Sequence, residues 1–365
     1  MKVETMTATT DIQAPALNGN FVRDVKRDYF SSVGRTILTV TCLALILYTI
    51  WFLVNWGLIN AVWFGTPEDC HKAAGACWAV ITDRYRLIFF GLYPYEEQWR
   101  SALACVAILV TVVLSCVPFF WSAKRLPVLW IVGYGLFYFL MRGGVFGMPT
   151  VLETQWGGLA LTVFVFSSTV VIGMPLAIVL ALLRRSRLPV IATITALFID
   201  GVRSLPLLSI LFTAAIILPF ALPDFLVGDK LYRVIVGAAL FFAVYQAEII
   251  RSGIQSLAAG QEEAATALGL NYWQTTTRIV LPQAFRFALP PTINQVVIAF
   301  METALIVILG FFEITASGNA AFSAGGWNTF HIEVYSFVAM IYFVFTFSLS
   351  RYGSYLEHTM KRSSR

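Results

Sequence analysis

The sequence predicts an all-α integral membrane fold with about eight transmembrane helices. Three observations carry that expectation. Of 365 residues, 58% are hydrophobic and only 12% are charged, which leaves too little polar surface to cover a soluble globule. The apolar residues gather into uninterrupted runs near the roughly 20 residues that cross about 30 Å of hydrocarbon as a helix. The runs are uniform rather than alternating over about ten residues, so they satisfy their backbone groups as helices and not as barrel strands.

In chain order the eight runs are Thr36 to Leu58, Ser101 to Trp121, Pro127 to Met141, Gly158 to Leu183, Leu207 to Leu222, Val234 to Ile250, Thr292 to Phe312 and Val334 to Leu349. The net charge of +5 does not point to nucleic acid, because the basic residues sit at the ends of the runs and not along one face. With a cytoplasmic N-terminus, Lys26, Arg27 and Arg35 lie inside, as do Lys124 and Arg125, then Arg184, Arg185 and Arg187. Arg251, Arg278, Arg286, Lys361, Arg362 and Arg365 follow on the same side, and both termini are then cytoplasmic. The segment Met1 to Asn20 has no apolar core before a small-residue cleavage site, so it reads as a disordered tail and not as a signal peptide. The expected organisation is a tail over 1–35, a three-helix extension over 36–154, a core over 155–355 and a second tail over 356–365.

Cys42, Cys105 and Cys116 fall within runs and read as small packing residues. Cys70 and Cys77 lie in the long Asn60 to Arg100 loop, assigned to the outer, oxidising side, and form a candidate disulfide; the unpaired state is equally open. His71, His331 and His358 are scattered, so no metal site and no catalytic constellation is expected.

The stretch from Arg251 to Pro291 is too polar to span and too long for a connector. It reads as an amphipathic piece from Gln261 to Leu268, a stop at Gly269, a start at Asn271, and breaks at Pro282 and Pro290–Pro291. Two short helices at the cytoplasmic membrane surface are therefore expected. Within it runs Glu263-Ala264-Ala265, three residues, Gly269, nine residues, then Ile279, Leu281 and Pro282. Ala264 and Ala265 are small enough for close seating of a helix, and Gly269 offers a reproducible exit through the left-handed region. Glu263 supplies a charged anchor.

This pattern resembles the cytoplasmic-loop signature of bacterial ABC-importer permeases at every fixed position. Tyr245 to Gln261, Gly157 to Arg187 and Arg203 to Leu208 are similar to the corresponding parts of polar amino-acid permeases. The resemblance implies a type I importer core in the C-terminal five helices and a second, homologous permease subunit. It also implies two ATP-binding subunits that use ATP and Mg, a periplasmic amino-acid-binding protein and an inner-membrane location. The chain lacks the phosphate-cradling G-x-x-x-x-G-K-[ST] loop, so no cofactor is expected on it and hydrolysis belongs to a partner. Gly75 to Val80, Phe90 to Pro94 and Glu96 to Arg100 look like the outer segment of the larger permease subunits of general L-amino-acid systems. That likeness implies a broad range including glutamate, glutamine, aspartate and asparagine. An ion-coupled secondary carrier is the alternative; it leaves the Glu263 to Pro282 pattern unexplained.

Glu302 lies in the seventh run, where a lone carboxylate costs roughly 2.5 to 3.5 kcal/mol, and Gln295 sits seven positions earlier on the same face. Two readings are open: a polar path for substrate, or a pair with the neighbouring subunit. The family usually shows a basic residue, then Asn or Asp, then Thr-Ser-Leu, where this chain has Met301-Glu302-Thr303-Ala304-Leu305. Glu248 and Arg251 are spaced for a helical ion pair, as an anchor or a gate. Ser167, Ser168 and Thr169 either line the pore or bond their own backbone one turn back.

Overall fold

The computed structural model describes residues 21–363 except 123 and 259. The expected disordered tail over Met1 to Asn20 lies outside the described residues. Among the described residues there are helices and two isolated bridges but no strand. Contacts divide the chain into two units, up to Cys77 and from Trp78 onward.

In the first unit, α1 (Phe21–Tyr29) precedes α2 (Val33–Val54), so part of the expected 1–35 tail is helical. Ser32 caps α2 by accepting the Arg35 N–H. A π turn over Asn55–Ile59 extends the apolar stretch to 27 residues. The short helix α3 (Pro67–Lys72) starts on a capping box between Thr66 and Asp69, with Pro67 in the first turn. The Thr66 N–H and hydroxyl hold the Asp69 carboxyl below the usual carboxylate range. Cys70 and Cys77 are joined in a disulfide, their Cα atoms 5.5 Å apart, and Val62 pairs with Ala76 through an N–H···O bond of 2.8 Å.

The second unit begins with α4 (Ala79–Phe90), α5 (Gln98–Ser115) and α6 (Arg125–Arg142). These three helices belong to the expected N-terminal extension, yet they pack with the core. The junction is a backbone-to-backbone crossing at Gly91, Gly157 and Gly158: a Cβ on Gly158, which has φ +60°, would collide with the Phe89 carbonyl. Arg100 is fully buried and stitches α5 to the end of α6. Its guanidinium donates to the carbonyls of Leu140 (2.8 Å) and Pro149 (3.0 Å) and pairs with Glu97 (3.0 Å). Tyr93 donates to the Leu140 and Met141 carbonyls at 3.3 and 2.8 Å, and burial pushes its phenol up to about 12. A helix C-terminus buried away from water needs such donors for its last carbonyls.

At the centre, α7 (Gly158–Arg184) packs along α12 (Lys230–Gln255). Gly173, Ala177 and Ala181 recur every fourth residue on α7, and Ala239, Ala243 and Ala247 do so on α12, all buried. Small residues in register let two backbones approach closely, the usual solution where lipid supplies no hydrophobic drive between helices. Gly253 near the end of α12 similarly seats the Ala284 carbonyl of α15 (Leu281–Glu302).

Six helical stretches are long and apolar enough to span a bilayer, and seven if one bent pair counts as a single crossing. The expected eight therefore change in two places. Pro127 to Met141 falls in α6, an 18-residue helix with arginine at both ends, which is not among the helices apolar enough to span. Leu207 to Leu222 is not one straight span. It comprises α9 (Leu207–Phe212), a π turn and α10 (Leu218–Ala221), and is preceded by α8 (Pro189–Arg203), a helix absent from the sequence reading. The two arms meet at 101° because Pro206 has no N–H and bars Leu205 from helical backbone. A one-turn helix α11 (Asp224–Val227) leads into α12.

After α12 come α13 (Gly260–Ala267) and α14 (Tyr272–Thr275). The expected breaks at Pro282 and Pro290–Pro291 do not occur: helix continues from Tyr272 to Leu309. A π turn over Thr276–Val280 precedes Pro282, widening the backbone where the ring would strike the carbonyl four residues earlier. Pro290 and Pro291 lie inside α15 on an exposed face. The 3₁₀ segment Thr303–Leu309 leads to α16 (Ile314–Phe322), which Glu313 caps while also accepting from Tyr342 of α17 (His331–Ser363). Helix α17 runs through most of the expected 356–365 tail.

Candidate functional site

The coupling segment is a compact elbow between α12 and α15. Helix α13 ends at Ala267, and the chain leaves it through Gly269, whose φ is +77°. The Leu270 N–H donates to the Ala265 carbonyl (3.1 Å) and the Gly269 N–H to that of Thr266 (2.9 Å), the paired bonds of a Schellman motif. Two residues later Asn271 and Gln274 form a reciprocal capping box at 2.9 and 3.0 Å. The direction of the chain is thus fixed at both ends of a three-residue corner.

The elbow is tied to the bundle on two sides. Glu262 pairs with Arg185 just beyond α7, and Gln283 of α15 donates to Gln261 at 3.4 Å. The charged anchor within the chain is therefore Glu262. Glu263, which the sequence reading put among the residues that couple to an ATPase, is exposed and has no ion pair among the described residues. Ala265 is buried whereas Ala264 is exposed, so the two alanines serve opposite faces. Val280 is buried between Ile279 and Leu281, both half-buried, and Pro282 is exposed. Ala264 and Glu263 share their exposure with Leu268, Tyr272 and Trp273, the last three 79%, 54% and 66% accessible. Large apolar side chains left open within a polar segment mark an interaction surface. The spacing motif did not include them; their signal was the run of aromatic residues directly after the glycine.

Beside the elbow, Glu248 does pair with Arg251 (2.9 Å), and it also meets Arg184 (3.0 Å) and Arg203 (4.0 Å). Arg184 reaches Asp200 as well, at 3.0 Å. The cluster joins the ends of α7, α8 and α12, a role that helical spacing alone did not reveal.

The other polar candidates separate into two groups. The Ser167 hydroxyl donates to the Val163 carbonyl at 2.6 Å and is buried. Ser168 is buried too and accepts from Tyr134 of α6 at 3.3 Å, so both serines, with Thr169, belong to packing within this chain. Gln295 is buried on α15, while Glu302 is half-exposed and has no hydrogen bond or ion pair among the described residues. Glu302 and Gln295 thus remain on one helix, but the structure does not bring Glu248 or the serines to them.

Comparison with known proteins adds a family, three relatives and a solved structure. Residues 173–362 match the family model described as binding-protein-dependent transport system inner membrane component. The chain is 39% identical to the inner membrane amino-acid ABC transporter permease protein YhdY of Escherichia coli K12, over 91% of each chain. It is 29% identical to the glutamate/glutamine/aspartate/asparagine transport system permease protein BztC of Rhodobacter capsulatus, over 96% of each. A glutamate/aspartate import permease, GltK of Escherichia coli O157:H7, is 34% identical over 55% of this chain and 90% of its own length. Among solved structures, an amino acid ABC transporter crystallised with histidines aligns with a TM-score of 0.49 at 28% identity, over 55% of this chain and 92% of its own.

Proposed function

Because the chain belongs to the binding-protein-dependent transport system inner membrane component family, we propose that it forms one half of a heteromeric pore importing polar L-amino acids. It is an amino-acid ABC-importer permease subunit, an inner-membrane multi-pass protein and not an enzyme. Its family works with ATP-binding subunits and a substrate-binding protein. The finer reading is a partnership with a second, homologous permease and two ATP-binding subunits that consume ATP and Mg, with both termini cytoplasmic. The range, glutamate, glutamine, aspartate and asparagine, is the one named for BztC, a relative that covers 96% of the chain.

The observation that carries this reading is the elbow: a helix with a fixed left-handed exit and an open face of Ala264, Leu268, Tyr272 and Trp273. In our reading Glu263 and Ala264 seat in a groove of the ATPase and Ala265 holds the helix from its buried face, while Gly269 sets the angle and Ile279, Leu281 and Pro282 carry the motion into α15. Rocking of the bundle then exposes the path alternately to each side. The test is reconstitution of the assembly in liposomes with a cysteine introduced by Ala264→Cys. Uptake of labelled glutamine should need ATP on the side of the elbow, and the cysteine should cross-link to the ATP-binding subunit. Uptake that persists without ATP and collapses with the ion gradient would replace this reading by a secondary carrier.

Glu302 takes its partner from outside the chain in this proposal, either the second permease or the substrate in transit. Glu302→Gln is expected to lower uptake by about tenfold, the scale of one charge-assisted hydrogen bond. A shifted ratio of glutamate to arginine uptake places the carboxylate on the path, and an unshifted ratio places it on the subunit seam. Unchanged rates for both amino acids would remove Glu302 from the mechanism.

A further inference from the structure

At the end of α7 opposite the elbow, a cleft of about 520 Å³ opens among the end of α6, the 152–156 connector, the start of α12 and the 310–312 turn. Its size is that of a small-molecule site. Four charged residues line it, Arg142, Glu153, Asp229 and Lys230, and their formal charges sum to zero.

They are not simply paired off. Glu153 is oriented by three donors on one oxygen, Tyr138 at 3.0 Å and Arg142 and Tyr232 at 3.2 Å, which leaves its second oxygen with no hydrogen bond among the described residues. Arg142 uses one guanidinium nitrogen on Glu153 and Tyr138, and its side chain is 48% exposed. Lys230 is steadied by the Leu309 carbonyl at 2.5 Å and lies 5.3 Å from the Phe311 ring centre. Asp229 stands at the N-cap of α12 without making a cap bond. The cleft therefore offers two anchored positive groups and two carboxylates with free acceptor capacity, beside aromatic walls. A dianion would meet the carboxylates, a simple amine would meet the cations, and only a ligand carrying both signs satisfies the set.

We infer that this cleft binds a free zwitterionic α-amino acid, Arg142 and Lys230 taking its carboxylate and Glu153 and Asp229 its ammonium. The choice of an amino acid over another zwitterion rests on the import reading above. Arg142 and Glu153 lie outside the family-matched residues 173–362, whereas Asp229 and Lys230 lie within them, so the extension completes a site that the core half-builds. The same chemistry, a primary ammonium beside an anion, occurs in a phosphatidylethanolamine headgroup.

The experiment uses the purified permease complex in nanodiscs of phosphatidylcholine and phosphatidylglycerol, without the binding protein, and saturation-transfer NMR with L-glutamine as probe. A saturable signal is expected for L-glutamine and none for glutarate or butylamine. Asp229→Asn, at an exposed side chain that makes no hydrogen bond among the described residues, and Arg142→Gln should each weaken binding by about tenfold, one charge-assisted hydrogen bond. Equal binding of glutarate, or no change in both variants, overturns the inference. Displacement of the probe by glycerophosphoethanolamine at lower concentration than by L-glutamine itself reassigns the cleft to a lipid headgroup. A missing L-glutamine signal combined with weakened capture of the binding protein by Arg142→Gln makes it a docking surface. ATP-driven uptake in the wild-type assembly is read separately, so failure of the cleft and failure of the import reading give different results.

Discussion

Replacing Gly269 with proline leaves the protein inserted in the membrane and lowers ATP-driven uptake by about a hundredfold, the equivalent of the ~3 kcal/mol cost of a misplaced proline. The glycine sits at φ +77°, a region closed to proline, and its N–H bonds the Thr266 carbonyl, a donor that proline lacks. Among the described residues, apart from the glycine's chain neighbours, no atom lies within 4 Å of where a Cβ would stand, so the defect is one of backbone conformation and not of crowding. That distinction sets an order among variants. Gly269→Asn should stay near wild type because asparagine tolerates the left-handed region, and Gly269→Ala should fall between, at a cost of roughly 1 to 2 kcal/mol. Uptake and ATP hydrolysis measured side by side in proteoliposomes check the series. Hydrolysis that continues while uptake stops is the expected signature, and full uptake by the proline variant would sever the elbow from the transport cycle.

The second large effect concerns stability. Arg100→Met is expected to destabilise the protein by about 3 to 5 kcal/mol, the penalty for removing one partner of a buried ion pair. The Leu140 carbonyl of α6 and the Pro149 carbonyl of the connector that follows it lose their donor together, and Glu97, 18% exposed, is left without its counter-charge. Arg100→Lys should recover only part of this, since a single ammonium cannot reach three acceptors in the geometry of a guanidinium. Adding Glu97→Gln to Arg100→Met should restore some stability by removing the orphaned carboxylate. The temperature of half-loss of detergent-solubilised protein is the readout, and identical midpoints for Arg100→Met and wild type would show that the bonds carry no weight.

Much of the architecture was legible because lipid imposes long uniform runs, and the elbow was legible because its helix stop needs one residue type at one place. The errors share a physical origin. Pro282, Pro290 and Pro291 read locally as breaks, yet a π turn and an exposed helix face absorb them. Helix α8 escaped notice because Pro206 folds it back at 101° on the next arm, so neither arm alone has the length of a crossing. The network around Glu248 brings together residues from three helices, and no spacing within one helix encodes that. Arg100 was visible only as one letter of an outer-segment motif, and its burial against α6 explains why an arginine stands there.

The small-residue seam of Gly173, Ala177 and Ala181 on α7 against Ala239, Ala243 and Ala247 on α12 has a thermodynamic consequence at those positions. Neither glycine nor alanine has a χ angle to immobilise, so bringing the two central helices together there sacrifices no rotamer entropy, where a leucine or methionine seam would forfeit some at every position. Dispersion contacts between backbones are kept in full, and in a solvent of acyl chains that difference favours the associated pair over two separately solvated helices.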